Sequence, residues 1–405
     1  MKVNIFSVIV FLLFIIFGSC TNEKKKQLHK KEDLRKKQTL DKKAGLAALS
    51  RHSALPKDIL SPEDNPTTPE KIVLGKLLFF DPILSGNRDV ACATCHHPDN
   101  GYAELLDISI GVNGKGLGSK RVFNTPNDIP FVKRNAHSII NTAFNGIDIY
   151  NSYNPGEAPM FWDNRVNSLE TQALEPIKAL EEMRGSKFTE EEILGIVVDR
   201  LKAIPEYTQL FKTAFDEEDA ISTTNLGKAI AAFERTIVTN NSRFDQYMRG
   251  DKNAISLSEK DGFELFKKVG CANCHNGPMF SDYKTHVLGV PDNKKLPDPD
   301  SGFEEQFAFR TASLRNLRFT APYMHNGTMI NLKKVLEFYE DISFGKIRNA
   351  LISREQFDPL VKELNLSVKE MGPIISFLNT LNDTSFKKDI PDAVPSGLPV
   401  GGNIY

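Results

Sequence analysis

The chain of 405 residues carries 51 Lys or Arg against 52 Asp or Glu, a formal charge of −1, and only five cysteines. Its length suits two domains. Balanced charge, with no basic patch interleaved with aromatics, excludes a nucleic-acid binder, and four of the five cysteines fall into two copies of one pattern, which narrows their chemistry.

Residues 1–19 read as an export signal, with Lys2, an apolar run from Ile5 to Phe17, and small Gly18 and Ser19. The run is shorter than the roughly 20 apolar residues that span a bilayer, which argues against a retained transmembrane helix. Cys20, directly after the small pair, resembles the lipobox of bacterial lipoproteins, so Cys20 is the expected lipidation site and the acyl chains would hold the protein on a membrane. An ordinary cleaved signal with an incidental cysteine is the alternative. Residues 20–60 follow as anchor and Lys-rich linker. Within them, 21–44 hold ten Lys or Arg against four Asp or Glu, a solvated tether of net charge +6. Without that segment and Lys2, the −1 of the whole chain becomes −8 for residues 45–405, a mildly acidic body that would suit a basic redox partner.

Helical patterning dominates the body, and no run of alternating strands stands out, so the fold is expected to be mostly α. Gly75-Lys76-Leu77-Leu78-Phe79 and Gly262-Phe263-Glu264-Leu265-Phe266 form a weak internal repeat, 13 and 5 residues ahead of a cysteine motif, and each is expected to pack against the group that motif holds. Residues 111–160, rich in Gly, Asn and Pro, read as a long loop region. Thr189 with Glu192, and Ser258 with Asp261, read as capping boxes at helix starts. Leu332, Val335, Leu336 and Tyr339 share one helix face. The polar stretch 240–257 suits a domain boundary. The expected organisation is an N-terminal domain over 61–245 and a C-terminal domain over 246–390, each holding one cysteine motif, and a tail over 391–405.

The two motifs, Cys92-Ala93-Thr94-Cys95-His96 and Cys271-Ala272-Asn273-Cys274-His275, carry the chemistry. C-x-x-C-H is the attachment signature of c-type haem. Two thiols one helical turn apart reach the two vinyl groups on one porphyrin edge, and the next histidine supplies the proximal nitrogen to iron. Zinc would want the two C-x-x-C pairs about 15 to 20 residues apart or a nearby His pair, and a thioredoxin-like dithiol would want a βαβ context. Neither is present. Two haems alone mean electron transfer; catalysis needs one iron face left open with an acid-base group above it.

The segments LGKLLFFDPILS (74–85), FWDNRVNSLETQALEPIKALEEM (161–183) and FRTASLRNLRFTAPYMHNG (309–327), taken with both motifs, resemble the bacterial di-haem cytochrome c peroxidase family, which includes the MauG-type enzymes. The resemblance runs from about residue 65 to residue 382. It implies two cytochrome c-like haem domains in tandem, the first haem peroxidatic and the second passing electrons. It also implies a Trp, a Gln ten residues on and a Glu twenty residues on, here Trp162, Gln172 and Glu182. Trp162 would relay an electron between the haems, and Glu182 would take the proton from peroxide and return it to the leaving oxygen. Peroxidase members carry a capping histidine sixteen residues after the first motif; that position is Val112, so the first haem is expected to be open without prior reduction. They cap the second haem with a Met fourteen residues beyond the histidine that is His325 here; that position is Tyr339, as in MauG-type enzymes. Tyr339 is thus the candidate distal ligand, Met324 and Met329 are rivals, and Met279 sits too close to His275 to reach across. A phenolate would favour oxidised iron. The resemblance further implies one calcium ion held by Asn135, Thr320 and Pro322.

The expected function is reduction of hydrogen peroxide to water by a cell-envelope, periplasmically exposed enzyme. Electrons would come from a small exported donor such as a cytochrome c or a copper protein. A MauG-type oxidase acting on a protein or organic substrate, and a non-enzymatic di-haem electron carrier, are the alternatives. A homodimer is carried as a candidate assembly.

Overall fold

The computed structural model describes residues 52–404; the export signal, Cys20 and most of the Lys-rich linker lie outside the described residues. Among those described, α1 (Pro69–Phe80), α2 (Cys92–Cys95), α3 (Leu169–Gln172), α4 (Glu175–Lys178), α5 (Glu190–Lys202), α6 (Pro205–Phe215), α7 (Thr223–Glu234), α8 (Arg243–Met248), α9 (Leu257–Lys268), α10 (Leu332–Ser343) and α11 (Val368–Leu378) follow in chain order. Sheet is confined to three short antiparallel ladders: β1 (Gly114–Lys115) on β2 (Val122–Phe123), β3 (Pro159–Met160) on β4 (Val166–Asn167), and β5 (Thr285–Val287) on β6 (Ala308–Arg310), with Thr285 opposite Arg310. The mostly α expectation holds, and 111–160 carries no α-helix, as its Gly, Asn and Pro content predicted.

The internal repeat has a packing cause. Helix α1 starts cleanly because the Thr68 side chain accepts the Lys71 N–H and Pro69 occupies a position whose N–H would go unused. It crosses α7 at Gly75, where a Cβ would collide with the carbonyl of Ala229. Helix α9 crosses α11 in the same way, with Gly262 against the carbonyl of Pro373. Each crossing brings two backbones together only because one residue has no side chain, and the phenylalanine four residues on, Phe79 or Phe266, is buried in the core that results.

Two main apolar clusters form around these crossings. The first gathers Leu78, Phe79, Ile177, Val197, Tyr207, Phe211 and Ile230; the second gathers Phe244, Phe266, Phe280, Ile374 and Phe377. A smaller cluster of Met329, Phe338, Ile342 and Phe357 packs on the far side of α10. The segment offered as a tail packs on the first cluster through Val394, Leu398 and Val400, as does Phe386 just before it. It is pinned by Ser396 donating to Asp81 at 2.6 Å and by Thr94 donating to the Gly401 carbonyl at 2.8 Å. The chain therefore returns from the second cluster to finish the first. Nothing in the local sequence of 391–404 signals this, because its partners lie about 300 residues earlier.

The capping boxes divide. Thr189 and Glu192 cap α5 reciprocally, as expected. At α9 the box is Ser256 with Glu259, and the expected pair Ser258 with Asp261 is corrected. Both four-residue stretches fit the pattern, but the helix begins at Leu257, so Ser256 is the cap and Glu259 reaches back to its N–H at 2.8 Å.

Candidate functional site

One cavity of about 590 Å³ runs past both cysteine motifs, and its wall includes Cys92, Cys95, His96, Cys271, Cys274 and His275. The first motif is the single turn α2; the second is a 3₁₀ turn, Cys271–Asn273, so in each the cysteines share a face. All four cysteines are unpaired. Burial pushes the thiols of Cys92 and Cys271 up to about 12 and raises the other two as well. A redox dithiol needs the opposite shift, so that alternative falls away.

The two motif histidines are prepared alike. The His96 ring approaches the Tyr102 carbonyl through Nδ1 at 3.2 Å, and the His275 ring approaches the Phe280 carbonyl through Nδ1 at 2.9 Å. A carbonyl can only accept, so Nδ1 carries the proton; in His275 this leaves Nε2 as the lone-pair nitrogen, while the His96 ring also meets the His137 carbonyl. Burial lowers both pKa values and keeps the rings neutral. Two half-buried thiols on the cavity wall, a neutral imidazole and an adjoining apolar cavity fit a covalently held haem at each motif. Zinc fits poorly. The one cluster of metal-capable side chains among the described residues is Cys274, Asp282 and His286, and both ring nitrogens of His286 already face carboxylates, Asp358 at 2.7 Å and Asp282 at 3.1 Å. Although burial opposes its charge, hydrogen bonds to Asp282 and Cys274 hold His286 up at about 11, a cation rather than a ligand.

Around the first motif, Gln172 at the end of α3 and Glu182 in the π-turn Leu180–Arg184 both line the cavity. Burial, helped by the neighbouring charge of Glu181, raises the Glu182 carboxyl from 4.5 to about 7. Its backbone carbonyl accepts the Val112 N–H at 3.1 Å, and Val112 itself is fully buried in the first core and does not line the cavity. The position expected to hold a capping histidine therefore holds packing.

Trp162 lines the middle of the cavity. Its indole N–H donates to the Asn135 carbonyl at 2.9 Å, its ring stacks on His137 at 3.9 Å, and His325 approaches edge-on at 6.5 Å. The sequence points to Asn135 but not to His137 two residues on; only folding lays the imidazole on the indole. At the second motif, Tyr339 and Met324 line the cavity, while Met329 lies in the smaller cluster and does not. The Tyr339 hydroxyl makes no hydrogen bond to the described protein, and burial raises its pKa, with the Cys274 and Cys271 thiols adding to the effect. A core tyrosine would satisfy that hydroxyl.

Asn135, Thr320 and Pro322 also line the cavity. The Asn135 amide donates to the carbonyls of Leu106 at 2.7 Å and Asp107 at 3.3 Å, so its Oδ1 remains free for a cation, in keeping with a hard-ion site of side-chain and carbonyl oxygens.

The profile of di-haem cytochrome c peroxidases matches residues 69–253. The chain is 37% identical over 340 residues to methylamine utilization protein MauG of Methylorubrum extorquens, covering 83% of this chain and 84% of that one. It is 32% identical over 303 residues to cytochrome c551 peroxidase of Pseudomonas aeruginosa, covering 72% and 78%. Among solved structures it is similar to a MauG-like protein associated with microbial copper homeostasis, with a TM-score of 0.64 and 27% identity over 81% of this chain and 95% of that one.

Proposed function

Because the chain belongs to the di-haem cytochrome c peroxidase family, we propose that it is an exported, lipid-anchored enzyme of two tandem cytochrome c-like units. It reduces hydrogen peroxide to water with electrons from a small redox protein. The carrying observation is the half-buried Glu182 carboxyl, raised to about 7 on the wall of the cavity that the first motif enters. When bound, the two haems supply the iron redox chemistry that joins donor and peroxide.

The protein's own part is positioning and proton movement. His275 presents Nε2 because a backbone carbonyl holds its Nδ1 proton, and a carbonyl holds the Nδ1 proton of His96 likewise. Gln172 orients peroxide beside Glu182. As carboxylate, Glu182 takes the proton from the near peroxide oxygen; as acid, it returns that proton to the far oxygen, which leaves as water. A carboxyl of ordinary pKa would be a weaker base and a scarcer acid at neutral pH. Trp162, clamped by Asn135 and His137, bridges the space between the motifs for the incoming electron. Asn135, Thr320 and Pro322 hold the calcium that stiffens this junction.

The test is steady-state turnover of hydrogen peroxide with reduced cytochrome c by the di-haem protein. Peroxide-dependent oxidation that is lost in Glu182→Gln supports the reading; turnover unchanged by that substitution overturns it. One observation favours the MauG-type alternative: the Tyr339 hydroxyl, free of protein partners, faces the cavity at the second motif. On that reading, cytochrome c is consumed slowly even though peroxide reacts with the protein.

A further inference from the structure

Reduction of peroxide obeys H2O2 + 2 e⁻ + 2 H⁺ → 2 H2O. The O–O bond breaks, both electrons come from the donor, and two protons must enter from solvent. Glu182 cannot supply them, since it moves a proton from one peroxide oxygen to the other and ends as it began. The site is buried, so a second group has to pass protons inward. This question rests on the peroxidase reading above.

Glu234, the last residue of α7, is a carboxyl that the mechanism so far leaves unused. It is 5% exposed, it lines the same cavity as Glu182, and its Oε2 has no hydrogen-bond partner. An unpartnered buried carboxyl is costly unless something uses it. Its charge and that of Glu182 both act on the Cys92 thiol, which locates both at the first motif. Next to Glu234, whose carboxyl feels the charges of Arg235 and Glu170 without bonding to either, a polar network leads outward. Arg235 is held by Glu170 at 2.6 Å, and Asn65 donates to Glu170 at 2.7 Å. Lys71 donates to Asn65 at 3.0 Å. The Lys228 carbonyl accepts from Asn65, and the Lys228 ammonium meets Asp64, 74% exposed, at 3.0 Å. The first core is otherwise apolar on this side, as Leu74, Leu226, Ile230 and Phe233 show.

The geometry points to Glu234 as the residue that hands solvent protons to the first haem site, reloaded from the side on which the Glu170–Arg235 pair and Asn65 open a polar region toward solvent. Two charges tune it in opposite senses. Burial raises its carboxyl to about 8, Arg235 pulls the other way and Glu170 adds to the rise. It therefore holds a proton at neutral pH, and Arg235 stabilises the carboxylate left when the proton is given up. No other titratable group is needed at its face: Lys71 and Lys228 act at the outer end, and Glu182 at the inner end.

The experiment compares the di-haem wild type with Glu234→Gln, Glu182→Gln and Glu170→Gln. Infrared spectra at neutral pH should show protonated carboxylic C=O absorption that loses its largest component in Glu234→Gln, a smaller one in Glu182→Gln, and keeps both in Glu170→Gln. In single turnover of the reduced protein with peroxide, Glu234→Gln should leave the initial reaction with peroxide near the wild-type rate. Return to the resting state should slow tenfold or more and gain a larger solvent deuterium effect. Glu170→Gln should show the same slowing in milder form with the band intact, which keeps the inference testable should Glu234→Gln bind too little haem. An infrared band unaffected by Glu234→Gln, or wild-type return rates in both variants, overturns the inference while leaving peroxidase function intact. A wild type that does not consume peroxide overturns both.

Discussion

Glu182→Gln tests the site through stability as well as rate, and the two readouts should move in opposite directions. Burial lifts the Glu182 carboxyl from 4.5 to about 7 in the folded chain, a difference worth about 3 kcal/mol at roughly 1.4 kcal/mol per pH unit. Below pH 4.5 the group is protonated folded or unfolded, and its contribution is fully present. Between 4.5 and about 7 the unfolded chain has lost the proton that the folded chain keeps, so stability falls as pH rises through that window. Above about 7 the whole cost is felt. Glutamine has nearly the same shape and no charge to bury. The variant should therefore match the wild type in urea denaturation near pH 4.5 and exceed it by up to about 3 kcal/mol at pH 8. Peroxide turnover should fall by about 10²- to 10⁴-fold, the usual worth of a positioned acid-base group. A wild-type rate should also fall about tenfold for each pH unit below 7, as the carboxylate that accepts the proton disappears, and Glu182→Gln should flatten that slope. A variant that is less stable than wild type at pH 8, or equally active, would refute the reasoning.

Three further outcomes are expected. Electron paramagnetic resonance of the oxidised di-haem protein, before any reductant, should show a high-spin ferric signal beside a low-spin one, since Val112 lies in the core where a capping histidine was needed; two low-spin signals would argue for a carrier. Tyr339→Phe should alter the low-spin signal and raise the potential of the second haem, whereas Met324→Leu should leave both unchanged; the reverse result would make Met324 the ligand. Gly262→Ala should destabilise by about 1–3 kcal/mol in chemical denaturation, because its Cβ would meet the Pro373 carbonyl at the α9–α11 crossing; wild-type stability would refute the crossing as drawn.

The sequence by itself determined the chemistry that depends on spacing. A C-x-x-C-H run places two thiols and an imidazole within one turn wherever it folds, so the expectation of haem attachment at Cys92, Cys95, His96, Cys271, Cys274 and His275 comes from spacing alone. The repeat around Gly75 and Gly262 was legible too, as pattern; its cause, two backbones touching at a crossing, needed the partner helices. The α9 capping box was displaced by two residues because two four-residue stretches satisfy the same local rule and only geometry chooses between them. Tertiary structure alone decided the rest. It returned residues 386–400 to the first core, stacked His137 on Trp162, put Met324 but not Met329 on the cavity wall, and left the Glu234 Oε2 unpartnered on that wall. Each of these joins residues far apart in the chain. Local pattern records which face of a helix is apolar, but a carboxyl at the end of α7 reads the same whether it meets water or a cavity, and what raises its pKa is the low-dielectric surrounding that only the assembled fold provides.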